Sequence, residues 1–222
     1  MPRIVDLSMP IEPHFRWKLD RSQTGDLEAG DPYQVTWMGM SVHAFTHIDS
    51  QRHIMASGGT TDDIPLEQVV GECAVVDLSG IAPNAPIEEA ALAQAGEHIP
   101  NGGIVLLKTC WDRVHSPATP EFWSEAPYMT RPACQWLLKR NIRAIAYDFP
   151  QDYPIRLLLK GETRPFSEFV THDVLLRNGV VMIEYLCNTA ALEKPRTYLC
   201  ALPLKIPASD GAPARVIAIE AF

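Results

Sequence analysis

Apolar runs rich in Val and Ile, each closed by Gly, Pro, Asn or Asp, punctuate the chain. They predict strands over 3–8, 33–40, 72–79, 103–109, 143–148, 180–186, 198–206 and 214–222. Helical signals fall between them, over 64–71, 87–96, 130–141 and 168–179. The first is short, with Asp62 or Asp63 as its cap. The second begins on Glu88 and Glu89 and stops at Gly96, which suits the charge preference of a helix start and the backbone freedom wanted at its end. The third reads as a Thr130 cap, Pro132 in the first turn, an apolar stripe, then Lys139 and Arg140 beside the terminal carbonyls. The fourth stops at Asn178 and Gly179. The strands at 198–206 and 214–222 follow one another with no helix between, which predicts an antiparallel portion. This mixture predicts a mixed α/β fold, and 222 residues suit a single domain over 1–222.

Composition narrows the function classes. The formal net charge is -8, with no basic stripe and no zinc-finger spacing, so no nucleic-acid partner is expected. The longest apolar runs are strand-sized, well short of the ~18 to 20 residues that carry a helix across a bilayer, so no membrane partner is expected either. The first residues, "MPRIVDLSMPIEP", lack the charged-then-apolar order of a signal peptide, and a cytoplasmic location is the default expectation. Five widely spaced cysteines with no CxxC read as reduced thiols packed in a core.

The histidines change the picture. There are seven in the chain, and three of them fall with an aspartate in "HAFTHIDSQRH": His43, His47, Asp49 and His53. A straight strand of that length spans ~33 Å at ~3.3 Å per residue, so its ends cannot meet. A helix stacks His43 on His47 but sends Asp49 elsewhere. Only a bent segment gathers all four. Imidazole nitrogen with carboxylate oxygen is a ligand set for zinc, manganese or iron(II). A second signal is Glu184 inside the apolar run "VVMIEYL", where an ionised carboxylate needs a partner or a metal. His172 lies twelve residues before it. His14, His98 and His115 lack such company and read as surface or capping residues. Asp148, at a strand end, is either an orienting partner for a ligand or a plain strand-end carboxylate.

These two motifs resemble those of the cyclase-like metal-dependent hydrolases, a family that includes bacterial kynurenine formamidase and isatin hydrolase. The family pattern H-x-G-T-H-x-D-x-P-x-H stands here as "HAFTHIDSQRH", and its later His-to-Glu element stands as "HDVLLRNGVVMIE". Weaker likeness runs through "IVDLSMPIEP", "LLKTCWD", "AIAYDFP" and "LPLKIPASDGAPARVIAI", in family order. The resemblance implies a compact α/β domain whose mixed, barrel-like sheet is flanked by helices, in a homodimer or homotetramer. It implies metal ligation by His43, His47 and Asp49, with His172 and Glu184 completing a second position. It also implies His53 as the catalytic histidine. The cofactor would be one or two divalent ions, zinc as in the formamidases or manganese as in isatin hydrolase-like members. Phe45 replaces the family Gly and Gln51 the family Pro, and Cys110 precedes Trp111 where many relatives have Gly. The bend at 45 is therefore expected to be made differently, or with little strain.

The expected activity is metal-dependent hydrolysis of an amide C–N bond in a small aryl substrate, with His53 as general base and then acid. Trp17, Phe45 and Trp111 are candidates for an aromatic wall, the alternative for each being a place in the core. Two other readings stay open: hydrolysis of a cyclic amide or lactone, and a non-catalytic metal- or ligand-binding member of the fold.

Overall fold

The structure is a computed structural model that describes residues 2–220. Twelve strands are present among the described residues: β1 (Arg3–Asp6), β2 (Leu19–Gly25), β3 (Val35–Met40), β4 (His47–Asp49), β5 (Val70–Asp77), β6 (Pro86–Ile87), β7 (Ile104–Lys108), β8 (Tyr128–Met129), β9 (Ala144–Tyr147), β10 (Val181–Glu184), β11 (Arg196–Pro203) and β12 (Gly211–Glu220). The α-helices are short: α1 (Glu89–Ala95), α2 (Pro120–Ser124), α3 (Arg131–Leu138), α4 (Ile155–Leu158) and α5 (Val170–Val174).

Strands β12, β11, β5, β7, β9, β10 and β4 pair in that order, and β4 pairs back onto β12, so the sheet closes into a mixed barrel. The β5–β7–β9–β10 portion is parallel and the rest antiparallel, with β1 added outside the ring on β12. Side chains alternate along each strand. Every ring strand sends one set into a single cluster, among them Ile48, Cys73, Val75, Ile104, Leu106, Ala144, Ile183, Leu199 and Val216. That cluster fills the barrel. The opposite set, including Val76, Val105, Leu107, Ile145, Tyr147 and Met182, packs outward against residues of the helices such as Leu92, Trp123, Cys134, Trp136 and Val174. No helix among the described residues is long and apolar enough to cross a membrane.

All eight strands expected from the pattern are present with small shifts of boundary, although the last expected one extends to 221–222, outside the described residues. The first stops at Asp6, and Ser8 then makes an isolated bridge to Leu186. The strand expected at 33–40 does not join the barrel. It pairs with β2 in a separate hairpin that leaves Leu27, Tyr33, Val35, Trp37 and Met38 exposed. The helix expected at 64–71 is a single 3-10 turn, Leu66–Gln68, because β-branched Val69 and Val70 feed directly into β5. The helix expected at 168–179 breaks after Val174 and closes through a 3-10 turn onto Gly179 at φ 86°. Helix α3 fits its expected signals, with the Thr130 hydroxyl accepting from the Ala133 amide. The five cysteines are unpaired, with Cys73 and Cys134 buried and Cys110, Cys187 and Cys200 partly so.

Candidate metal centre

The bend that brings the histidines together starts at Phe45, which takes the left-handed backbone at φ 58°. The family's glycine conformation is thus kept without glycine, contrary to the expectation of a different or relaxed bend. Such a conformation costs about 1–2 kcal/mol for a residue with a Cβ. The Phe45 ring offsets this by packing in the core, 1% exposed and 4.9 Å from the Trp17 ring centroid. Thr46 clamps the turn, accepting from the Met9 amide at 2.8 Å and donating to the Tyr185 carbonyl at 2.7 Å. We expect Phe45→Gly to destabilise the fold despite relieving the strained angle, because emptying a buried Phe site costs about 3–5 kcal/mol. A urea titration checks this, and a variant as stable as the parent would contradict it.

After the bend, His47, Ile48 and Asp49 form β4, with His47 paired opposite Glu184 and Asp49 opposite Met182 on β10. Ile48 points into the barrel, so His47 and Asp49 face outward on the same side as Glu184. A 3-10 turn, Gln51–His53, then folds His53 back until its ring centroid lies 4.0 Å from that of His43. The first turn of α5 supplies His172 from across the cleft. Gly211 leaves room for His43, since a Cβ there would sit 2.6 Å from the ring.

The ring nitrogens are sorted by their partners. His43 Nδ1 lies 2.7 Å from Asp49 Oδ1, while its Nε2 lies 2.7 Å from Asp210 Oδ2. His47 Nδ1 is 2.8 Å from the Phe45 carbonyl, to which it donates, leaving Nε2 3.2 Å from Asp49 and 3.7 Å from Glu184. His172 Nδ1 is 2.6 Å from Asp152 Oδ2, leaving Nε2 3.7 Å from both Asp49 and Glu184. Each of these three histidines therefore has one nitrogen fixed by an acceptor; the other is aimed at both Asp49 and Glu184 for His47 and His172, and at Asp49 for His43. Gln151 Nε2 donates to Glu184 Oε1. Ligand atoms of His43, Asp49 and His53 lie within 4.8 Å of one another, as do those of His47, Asp49 and Glu184, so Asp49 belongs to both groups.

The charge balance calls for a cation. Asp49 and Glu184 are buried, and neither has a Lys or Arg partner among the described residues. Burial works against the charge of His43, but Asp49 and Asp210 hold its pKa up to about 9. Burial likewise opposes His172, whose pKa is nevertheless held well above normal by Asp152, Asp49 and Glu184. Burial would raise the Asp49 carboxyl, yet the three histidines hold it well below the usual range. Burial and the neighbouring Asp49 push Glu184 up. His53 differs: burial, with the nearby charges of His43 and His172, lowers it despite Asp49. Two buried carboxylates facing three oriented imidazoles are a donor set that fits a divalent ion.

The cluster forms the floor of a cavity of about 270 Å³. Trp17, Tyr185, Ile155, Leu158, Phe166 and Phe169 supply its apolar walls, and Arg16 also lines it. Of the aromatic candidates from sequence, Trp17 alone lines this cavity. Phe45 lies behind Trp17, and Trp111 is a core residue, 1% exposed, whose indole donates to the Phe122 carbonyl at 2.8 Å. Asp148 orients no histidine; it is fully buried and accepts from Thr109, Cys110 and Thr189. The orienting carboxylates are Asp152 and Asp210, which sequence reasoning did not single out. Asp152 carried no signal in "FPQDYP", whereas Asp210 stood in the family-like "ASDGAPAR" stretch with no role attached. His14 stacks on Phe15 and packs at a tilt against Trp17, His98 meets the Val75 carbonyl and His115 meets Glu125, none of them joining the cluster.

Comparison with known proteins finds relatives along most of the chain. The chain is 29% identical over 184 residues to kynurenine formamidase of Salinibacter ruber, covering 82% of this chain and 78% of that one. It is 28% identical to kynurenine formamidase of Erythrobacter litoralis, covering 98% and 94% respectively. A structure described as a predicted metal-dependent hydrolase from Bacillus stearothermophilus matches with a TM-score of 0.76 at 28% identity over 100% of both chains. The fold is also that of isatin hydrolase A from Labrenzia aggregata, with a TM-score of 0.84 at 24% identity over 98% of this chain and 93% of that one. The Cyclase family model matches residues 5–151, two-thirds of the length and the whole of the first histidine motif. With that match laid over the closed barrel and its outward-facing His/Asp/Glu cluster, the chain belongs to the Cyclase family.

Proposed function

We propose that this chain is a metal-dependent amidohydrolase that cleaves the C–N bond of a small aryl amide, an arylformamidase in type. The observation that carries the reading is the convergence of oriented imidazoles on two buried carboxylates at the floor of an aromatic-walled cavity. His43, His47 and Asp49 would hold one divalent ion, and His172 and Glu184 would complete a second position; zinc or manganese suits the mixed nitrogen and oxygen donors. Such an ion supplies Lewis acidity, lowering the pKa of water and polarising the scissile carbonyl. The named kynurenine formamidases support amide hydrolysis in particular.

The chain's own residues supply the rest. His53 is a third exposed and faces the cluster, and among the described residues no close hydrogen-bond partner fixes its ring: Asp210 Oδ2 lies 3.7 Å from its Nδ1. A partly exposed imidazole held neutral takes a proton from the attacking water and returns it to the leaving amine. Asp210, Asp152 and the Phe45 carbonyl keep the other histidines in one tautomer through both steps. The apolar walls displace water from the substrate ring; a cavity near 270 Å³ holds one ring with its substituents.

The test is to offer zinc or manganese to the purified protein, then screen formanilides beside lactams and lactones. Hydrolysis of formanilides is expected; turnover confined to cyclic substrates would replace the aryl-amide reading. Asp152→Asn should weaken metal binding about 10- to 100-fold while the fold is kept, since Asn still accepts from Thr171. Chelator competition measures it, and unchanged affinity would remove Asp152 from its orienting role.

We further propose that the chain works in the cytoplasm, which the unpaired cysteines favour, and as a homo-oligomer. The exposed Leu27, Tyr33, Val35, Trp37 and Met38 on the β2–β3 hairpin support the latter, because a two-stranded ribbon is marginal alone and needs an apolar cover. Light scattering at micromolar concentration checks it: a monomer would be contrary to this reading.

A further inference from the structure

Gln151 and Asp152 are consecutive in the turn that leaves β9 and enters α4. Asp152 Oδ2 fixes Nδ1 of His172 at 2.6 Å, and Gln151 Nε2 donates to Oε1 of Glu184. His172 and Glu184 are the pair that would complete the second ion position. Two neighbouring side chains of opposite hydrogen-bonding character thus meet two ligands of opposite character. An acceptor meets the imidazole, and a donor meets the carboxylate.

Gln151 is wholly buried, at 0% exposure. A Gln side chain brings two N–H donors and one carbonyl acceptor. Among the described residues, the one hydrogen bond of this side chain goes to Glu184, and its own Oε1 is buried without a donor. A buried carbonyl left unpaired costs stability, and an apolar side chain of similar volume would avoid that cost. Packing therefore does not account for the residue, whereas the contact with Glu184 does. That contact has one sense, because an ionised carboxylate accepts and never donates.

The turn is also stiff. Pro150 and Pro154, both buried, bracket the pair and fix φ on either side. The Gln151 carbonyl accepts from the Met129 amide at 2.8 Å, and Asp152 accepts from the amide and hydroxyl of Thr171 at 2.8 and 2.6 Å. β8 and α5 thus hold the dipeptide from two sides. With Oε1 held by Gln151, the plane of the Glu184 carboxylate is set: Oε1 stands 3.7 Å from His172 Nε2, and Oε2 stands 3.7 Å from His47 Nε2.

We propose that Gln151 is a positioning residue for Glu184, and that with Asp152 it makes the second ion position a preformed one. This rests on the metal-binding part of the reading above.

The experiment measures metal and not turnover. Protein stripped of metal competes with a chromophoric chelator for zinc, and for manganese in a parallel series. Glu184→Ala identifies the ion that depends on Glu184. Gln151→Met keeps the volume but removes the donor, and it should weaken that ion about 10- to 100-fold. Gln151→Asn draws the amide back by one methylene and should weaken it in the same direction. In the Glu184→Ala background, Gln151→Met should change nothing further, since its effect runs through Glu184. An equal loss in both backgrounds, or wild-type affinity in a folded Gln151→Met, would make Gln151 a space-filling residue and overturn the inference. So would circular dichroism showing both Gln151 variants unfolded without metal, which would make it a folding residue. If Glu184→Ala binds both metals as wild type does, Glu184 is no ligand and the inference falls with it. If Glu184-dependent zinc is bound but no formanilide is hydrolysed, the amidohydrolase reading fails while the role of Gln151 stands.

Discussion

Asp49→Ala is expected to lose bound metal and turnover together. Asp49 is the one side chain that belongs to both ligand groups, with Oδ1 toward His43 and His47 and Oδ2 toward His172. Its removal leaves His47 and His172 facing Glu184 alone, and His43 with Asp210 alone. Loss of a residue that merely orients a ligand costs about 10- to 100-fold in affinity or activity, so loss of a shared ligand should exceed about 100-fold in both. The backbone of residue 49 is held between β10 and β12, so the variant should still fold. Elemental analysis paired with a formanilide assay reads the outcome. A variant that keeps its metal, or that turns over normally, would break the central assignment of the site.

His53→Ala should separate the two properties that Asp49→Ala removes together. The variant is expected to keep metal, because the remaining imidazoles and both carboxylates are untouched, and to lose turnover by about 10²- to 10⁴-fold, the usual contribution of a positioned acid–base group. His53 sits in a 3-10 turn at the rim, a third exposed, so trimming it leaves no large hole in the core. Near-normal hydrolysis would show that another group moves the proton. Loss of metal instead would make His53 a ligand, a role its closeness to His43 and Asp49 also permits geometrically.

The parts of the molecule that could be read from the chain share a physical character. Strands buried on both faces announced themselves as continuous apolar runs, and β5, β7, β9 and β10 all lie in the parallel half of the barrel. β2 gave no such signal because "LDRSQTG" is polar on both faces, its pairing being satisfied only by β3. β4 was hidden by its length of three residues, and by the fact that two of those residues serve the site and not a core. The need for a bend that gathers His43, His47, Asp49 and His53 followed from chain geometry, and the need of Glu184 for a partner from the cost of a buried carboxylate, while its pairing with His172 came from the family resemblance. Asp152 and Asp210 could not be found in this way. An acid that orients a histidine 20 residues away, or 167 away, leaves no local pattern, since the contact exists only once the barrel has closed. Phe45 shows the opposite limit: its left-handed backbone goes against its residue type, and only the packing around it explains how the bend survives.

The short strand β4 has a consequence for how the molecule holds its shape. The barrel is a hoop, and β4 is its clasp: Asp49 pairs with Met182 on one side and Gly211 on the other, and His47 with Glu184 and Pro213. A slip of one residue at the clasp would turn Ile48 outward and drive His47 and Asp49 into the apolar interior. An ion gripped by side chains on both β4 and β10 would rivet the clasp to its neighbour. Loading the site would then tighten the whole hoop, and the amide of Ile48, between two of the residues that would hold the ion, would become a gauge of occupancy through its slowed exchange with solvent.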